Sequence, residues 1–217
     1  GGGLPQFSAV LMYCPAHFVE ARPEALHALM REYPLATLVT VGDKGPNADH
    51  LPLLLATTTD GSVVLHGHVA RANPIWQSVP DGSLVLAVFH GPDAYITPSW
   101  YPTKQEHGKA VPTWNYATVH VRGTLRFIHD ADWLRAQVDA LTQAQESAFA
   151  EPWAVSDAPA DYVEKMLAAI VGVEIAVISF EGKWKTSQNQ PEGNRQGAAA
   201  GLRERGQPDS AALIERR

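Results

Sequence analysis

A mainly β fold, with antiparallel strands forming a barrel and helices at its periphery, is predicted by three features of this 217-residue chain. Runs of β-branched and aromatic residues recur from 35 to 128 between Gly and Pro breaks. Helical periodicity is confined to the beginning and to 130–170. SLVLAVF (83–89) and VEIAVISF (173–180) are apolar enough to lie at the middle of a closed sheet.

ARPEALHALMREYP (21–34) sets Leu26, Leu29, Met30 and Tyr33 at helical spacing, with Pro23 near the start and Pro34 as the stop. Residues 35–69 give three β-rich runs, interrupted by GDKGPN and TTDGS, both of which read as hairpin turns. SLVLAVFHG, DAYITPSW and TVHVRGTLRFI continue the meander to residue 128, for at least six strands. DADWLRAQVDALTQAQES (130–147) gathers Trp133, Leu134, Val138 and Leu141 on one side, with Asp130 as N-cap. A second helix is expected over 160–170 and a late strand over 171–185. QGAAAGLRERGQ (196–207) reads as a mobile tail. The expected organisation is a leader over 1–11, one domain over 12–196 and a tail over 197–217.

Composition narrows the function. With 45% hydrophobic and 18% charged residues the chain can build a core, and no apolar run reaches the eighteen or more residues of a membrane-spanning helix. Cys14 is the single cysteine, which rules out an internal disulfide and suits a reducing cytoplasm. The net charge is −6, yet residues 181–217 carry seven Lys/Arg against five Asp/Glu. The bulk of the chain therefore repels nucleic acid, and Asp130, Asp132, Asp139 and Glu146 make the 130–147 helix a poor DNA reader.

Chemistry is suggested at two stretches. In LHGHVARANPIW (65–76), Asn73 followed by Pro74 has the signature of an N-cap with proline at the first helical position, and unpaired N–H groups at such an end attract phosphate. Arg71 adds a fork suited to phosphate oxygens, and His68 stands close by. His66 and His68 share a face of their strand, but local spacing supplies no third metal ligand. In NADHLPLLL (47–55), His50 and Pro52 interrupt a strand, which points to an edge whose backbone faces something other than a neighbouring strand. A structural loop at the first stretch and an edge strand with a buried histidine at the second are the simpler alternatives.

Seven ordered motifs, MYCPAHF (12–18), HLPLLL (50–55), GHVARANPIW (67–76), FHGPDAYITPSWY (89–101), VPTWNYATVHVRG (111–123), IVGVEI (170–175) and KTSQNQ (185–190), resemble the PaiB-type family, also called FMN-binding negative transcriptional regulators. The resemblance runs from Met12 to about residue 196. It implies a split β-barrel related to pyridoxamine-phosphate oxidase-like flavoproteins, a homodimer, and FMN near the subunit interface. The FMN-binding residues it implies are His50, Leu51, Pro52, Leu53, His68, Arg71, Ala72, Asn73, Trp114, Asn115, Lys185, Gln188 and Asn189. The loop between SWY and PTWNY is expected to cover the flavin, with Lys104, His107 and Lys109 on a mobile lid. Trp114 is the favoured ring-stacking aromatic, against the alternative of interface packing.

Three functions stay open at this level. One is a flavin-dependent oxidoreductase for an unidentified small substrate, with His50, His68 and His120 as acid–base candidates by residue type only. Another is a regulator with flavin or a metabolite as sensor, whose DNA contact would fall to Arg203 and Arg205. The third is a haem-binding split barrel.

Overall fold

The computed structural model describes residues 11–216. All but Leu11 of the expected leader lies outside them. Residues Arg22–Gly91 and Thr118–Phe180 cluster as one compact unit, and the described residues of 11–21, 92–117 and 181–216 as a second. Three strands are long among the described residues: β6 (Leu84–Ile96), β7 (Thr113–Ile128) and β8 (Ile170–Lys185). Among the described residues no helix is long and apolar enough to cross a membrane.

The first unit follows the periodicities of the sequence. Helix α1 (Pro23–Glu32) buries Leu26, Leu29 and Met30. Strands β2 (Leu35–Gly42) and β3 (Gly45–Pro52) form an antiparallel hairpin in which Gly42 pairs with Gly45. The turn leaves Gly45 at φ 99, where a Cβ would be strained. Strands β4 (Leu54–Thr57) and β5 (Val63–Ala70) make the second hairpin, where Asp60 accepts from Thr58 Oγ1 and Ser62 N; those bonds hold its carboxyl down at about 2.

Strand order in the sheet is β3-β2-β6-β7-β8-β5-β4, and the two-residue β1 (Val19–Glu20) pairs with β8 in the second unit. The two apolar runs, on β6 and β8, are interior as expected. The closure expected of them is absent from the pairing, because the path ends at β3 and β4. On β6, Val85, Ala87 and Phe89 alternate inward, and β7 and β8 add Val119, Val121, Val173 and Ile175. Helix α2 spans only Ile75–Ser78, and helices α4 (Ala131–Glu146) and α5 (Ala160–Ala168) complete the unit. The Asp130 side chain accepts from Trp133 N at 2.7 Å, as its N-cap role requires.

The second unit corrects two expectations. Residues 102–107, expected as part of a connecting loop, are helix α3 (Pro102–His107), closed by Gly108 at φ 70. Residues 197–217, expected as a tail, belong largely to helices α6 (Glu192–Glu204) and α7 (Pro208–Glu215). Their small residues misled composition: Ala198, Ala199, Leu202, Ala211 and Ile214 are buried with Ala94, Ile96 and Tyr101 in one cluster. Gly201 is a packing requirement, since a Cβ there would lie 2.2 Å from the Trp100 ring.

Candidate functional site

In the first unit the polar groups collect between β5, α4 and the start of β8. His66 and His68 both face α4, as strand alternation predicts. His66 Nε2 lies 3.0 Å from Glu174 Oε2, and its ring meets Trp133 edge-on at 4.9 Å. Arg126 donates to the other Glu174 oxygen at 2.7 Å. His68 Nδ1 lies 2.7 Å from Oε1 of Gln137, a residue 4% exposed whose Nε2 has no protein partner.

Arg71 sits where β5 meets α5. Its Nε donates to Ala168 O at 2.8 Å and an Nη to Ile170 O at 2.9 Å, while the other Nη faces His129 Nδ1 at 3.4 Å. The guanidinium thus clamps carbonyls around the end of α5 and keeps its remaining N–H donors for another acceptor. Asn73 Oδ1 accepts from Ile75 N at 3.0 Å, but the helix that follows is four residues long and is capped at Pro74, one position later than expected. Asn73 Nδ2 donates to Asp49 Oδ1 at 2.7 Å and ties this loop to β3 beside His50.

His50 is exposed and lies 3.1 Å from Thr37 Oγ1, whereas Leu51 and Leu53 are buried core. Pro52 closes β3, which is an end strand of the path, in keeping with the edge reading. Gly67 packs so closely that a Cβ would lie 2.7 Å from Pro52 O and 2.8 Å from Leu53 Cδ2. Ala72 is exposed beside Arg71.

The second unit brings Trp114, Asn115, Lys185 and Asn189 together. Lys185 Nζ donates to Thr113 Oγ1 and, at 2.7 Å, to Trp114 O. Asn115 Nδ2 donates to Ser187 Oγ at 2.9 Å. Asn115, Lys185 and Asn189 line one cavity of about 150 Å³ with Tyr101, Thr113 and Ser187. Gln188 instead folds back, accepting from Thr186 N and donating to Trp184 O. Trp114 is 55% exposed and meets Tyr95 edge-on at 5.8 Å.

Burial first, and then the charge of Lys183, push the Lys185 ammonium below the ordinary lysine value of 10.5. A nitrogen-detected NMR titration should therefore place the Lys185 midpoint below 10.5, and Lys183→Met should move it upward. Because folding lowers this pKa, the unfolded chain binds the extra proton, so the contribution to stability rises with pH between the folded value and 10.5. Burial pushes the Tyr101 phenol above 10, with the nearby Ser187 hydroxyl offsetting part of the rise.

Sequence reasoning singled out neither Gln137 nor Glu174. Glu174 carried a signal, a lone charge inside the apolar run IVGVEIAV. Gln137 carried none, because its role depends on a contact 69 residues away. Arg203, on which the DNA reading leaned, is paired through Nε and one Nη with the two oxygens of the Glu215 carboxylate.

The comparisons with known proteins agree with one another. The family described as "Putative FMN-binding domain" matches residues 12–179. An uncharacterized protein of Emericella nidulans is 36% identical, covering 88% of this chain and 90% of its own. The "Protease synthase and sporulation protein PAI 2" of Bacillus subtilis is 30% identical, with 94% and 95% covered. Among solved structures, the FAD and haem binding protein of Mycobacterium smegmatis superimposes with a TM-score of 0.57 at 21% identity, covering 77% of this chain and 73% of its own, which supports the split-barrel fold. With a family match across most of its length and a PaiB relative spanning nearly all of it, the chain belongs to the PaiB-type family of FMN-binding split-barrel proteins.

Proposed function

We propose that this chain is an FMN-dependent oxidoreductase that acts on a small substrate as a homodimer. The observation that carries the reading is the match of residues 12–179 to an FMN-binding family. Bound FMN supplies the two-electron chemistry, and the chain's own residues bind, orient and shield it.

The residues suit that task by their donor chemistry. Arg71 retains N–H donors beyond those given to Ala168 and Ile170, and phosphate is the acceptor a guanidinium fork suits best. His68 and Asn73 stand on the same strand end and loop, and each is held by a side-chain bond, to Gln137 and Asp49 respectively. The backbone of His50 to Leu53, on an end strand, is available to a flat heterocycle with its own donors and acceptors. Trp114 and Tyr95, both exposed, offer flat faces to a ring or to a second copy of the chain.

An absorbance spectrum with FMN titration of the purified protein tests this, followed by anaerobic addition of NADPH. Flavin bands that shift on binding and bleach with NADPH are expected. A Soret band would favour haem, and a preparation that takes up no flavin overturns the proposal.

A further inference from the structure

The cavity beside Tyr101 and Asn115 has a polar lining that the fold leaves incomplete. Asn115 is 4% exposed and spends its amide nitrogen on Ser187, yet its Oδ1 has no protein partner. The buried Tyr101 hydroxyl also lacks a hydrogen bond of good geometry. Buried polar atoms are nearly always satisfied, so two orphans lining one small cavity point to something that belongs between them. Ser187 adds to this: it is buried and holds φ 67, a left-handed conformation that a residue other than glycine rarely keeps without a constraint.

The charges define the missing group. Among the described residues lining the cavity Lys185 alone is charged, and the two acceptors it reaches, Thr113 Oγ1 and Trp114 O, are neutral. An ammonium has three donors, so one remains. Lys183 adds a second buried cation nearby, seated over the Tyr13 and Tyr116 rings. The complement is an anion that also carries a donor for Asn115 Oδ1. At ~30 Å³ per water, the cavity of about 150 Å³ holds roughly five waters' worth of ligand, or an acid of about three or four carbons.

We propose that this cavity binds a small α-hydroxy carboxylate, its carboxylate facing Lys185 and the Tyr101 hydroxyl and its own hydroxyl donating to Asn115 Oδ1. A plain carboxylate of the same size leaves Asn115 Oδ1 unsatisfied. An amide lacks the charge, and an α-amino acid sets an ammonium near Lys185. Binding requires no flavin, so the inference does not rest on the function proposed above.

The test is an NMR titration of the full-length, flavin-free protein with lactate, propionate and lactamide, followed at Asn115, Ser187 and Lys185. Lactate should perturb these residues saturably and bind about tenfold or more tightly than either analogue, the scale of discrimination by a polar site left unpaired. Lys185→Gln should bring lactate down to the level of lactamide. Asn115→Leu should erase the preference of lactate over propionate; should that variant fail to fold, Lys185→Gln and the two analogues still decide. Equal binding of the three probes, or shifts confined to other residues, overturns the proposal. So does displacement of lactate by inorganic phosphate or FMN, which would assign the cavity to the flavin phosphate. Failure of the protein to take up FMN sinks the flavin reading and leaves the lactate result standing.

Discussion

Leu202→Ala should destabilise the protein by about 2–5 kcal/mol, the range for truncating a large aliphatic side chain in a core that cannot collapse around the gap. Leu202 is fully buried in α6, within the cluster that joins Ile96 and Tyr101 to Ala198, Ala211 and Ile214. Chemical denaturation measures the loss, with exposed Arg205→Ala as a control expected within about 0.5 kcal/mol of the parent. A Leu202→Ala loss as small as the control's would mean that the last two helices contribute little to the cooperative core. The unfolding slope should stay constant, since the surface exposed on unfolding is unchanged.

Arg71→Ala should weaken FMN binding by roughly 10- to 100-fold, equivalent to the ~1.5–3 kcal/mol of hydrogen bonds to a charged group. The same change removes the donors to Ala168 O and Ile170 O, so a drop in melting temperature is expected with it. Arg71→Lys separates the two effects: it keeps the charge but loses the fork, so FMN affinity should fall between those of the parent and Arg71→Ala. Flavin fluorescence titration reads the affinity and calorimetry the melting point. Stability lost with FMN affinity unchanged would reduce Arg71 to a clamp on the end of α5.

Arg71 and Leu202 sit on opposite sides of what the sequence made legible. Arg71 and Asn73 stood out because a cap residue, a proline and a guanidinium within four positions have a local physical meaning. The structure kept the Asn73 bond to Ile75 N but placed the cap of a four-residue helix at Pro74 and turned Arg71 partly onto backbone carbonyls. Leu202 was hidden in an Ala- and Gly-rich stretch whose composition resembles a solvated tail. Its burial depends on Trp100, about a hundred residues earlier, for which Gly197 and Gly201 leave room. The stretch around Lys104 and His107, expected as a loop, is helical for a nearer reason: Pro102 at the start and Gly108 at the end are helix punctuation, read there as loop residues.

By itself the sequence determined the family, the antiparallel strands, their hairpins and the strand-end loop with Arg71 and Asn73. These depend on residues close together in the chain, where side-chain period, turn chemistry and capping act locally. Only the tertiary structure decided that the sheet path ends at β3 and β4, that the last residues are packed helices, and that Asn115, Ser187 and Lys185 share a cavity with Tyr101. Those outcomes depend on contacts between distant segments, and a residue's type records its own preference rather than the partner that folding brings to it.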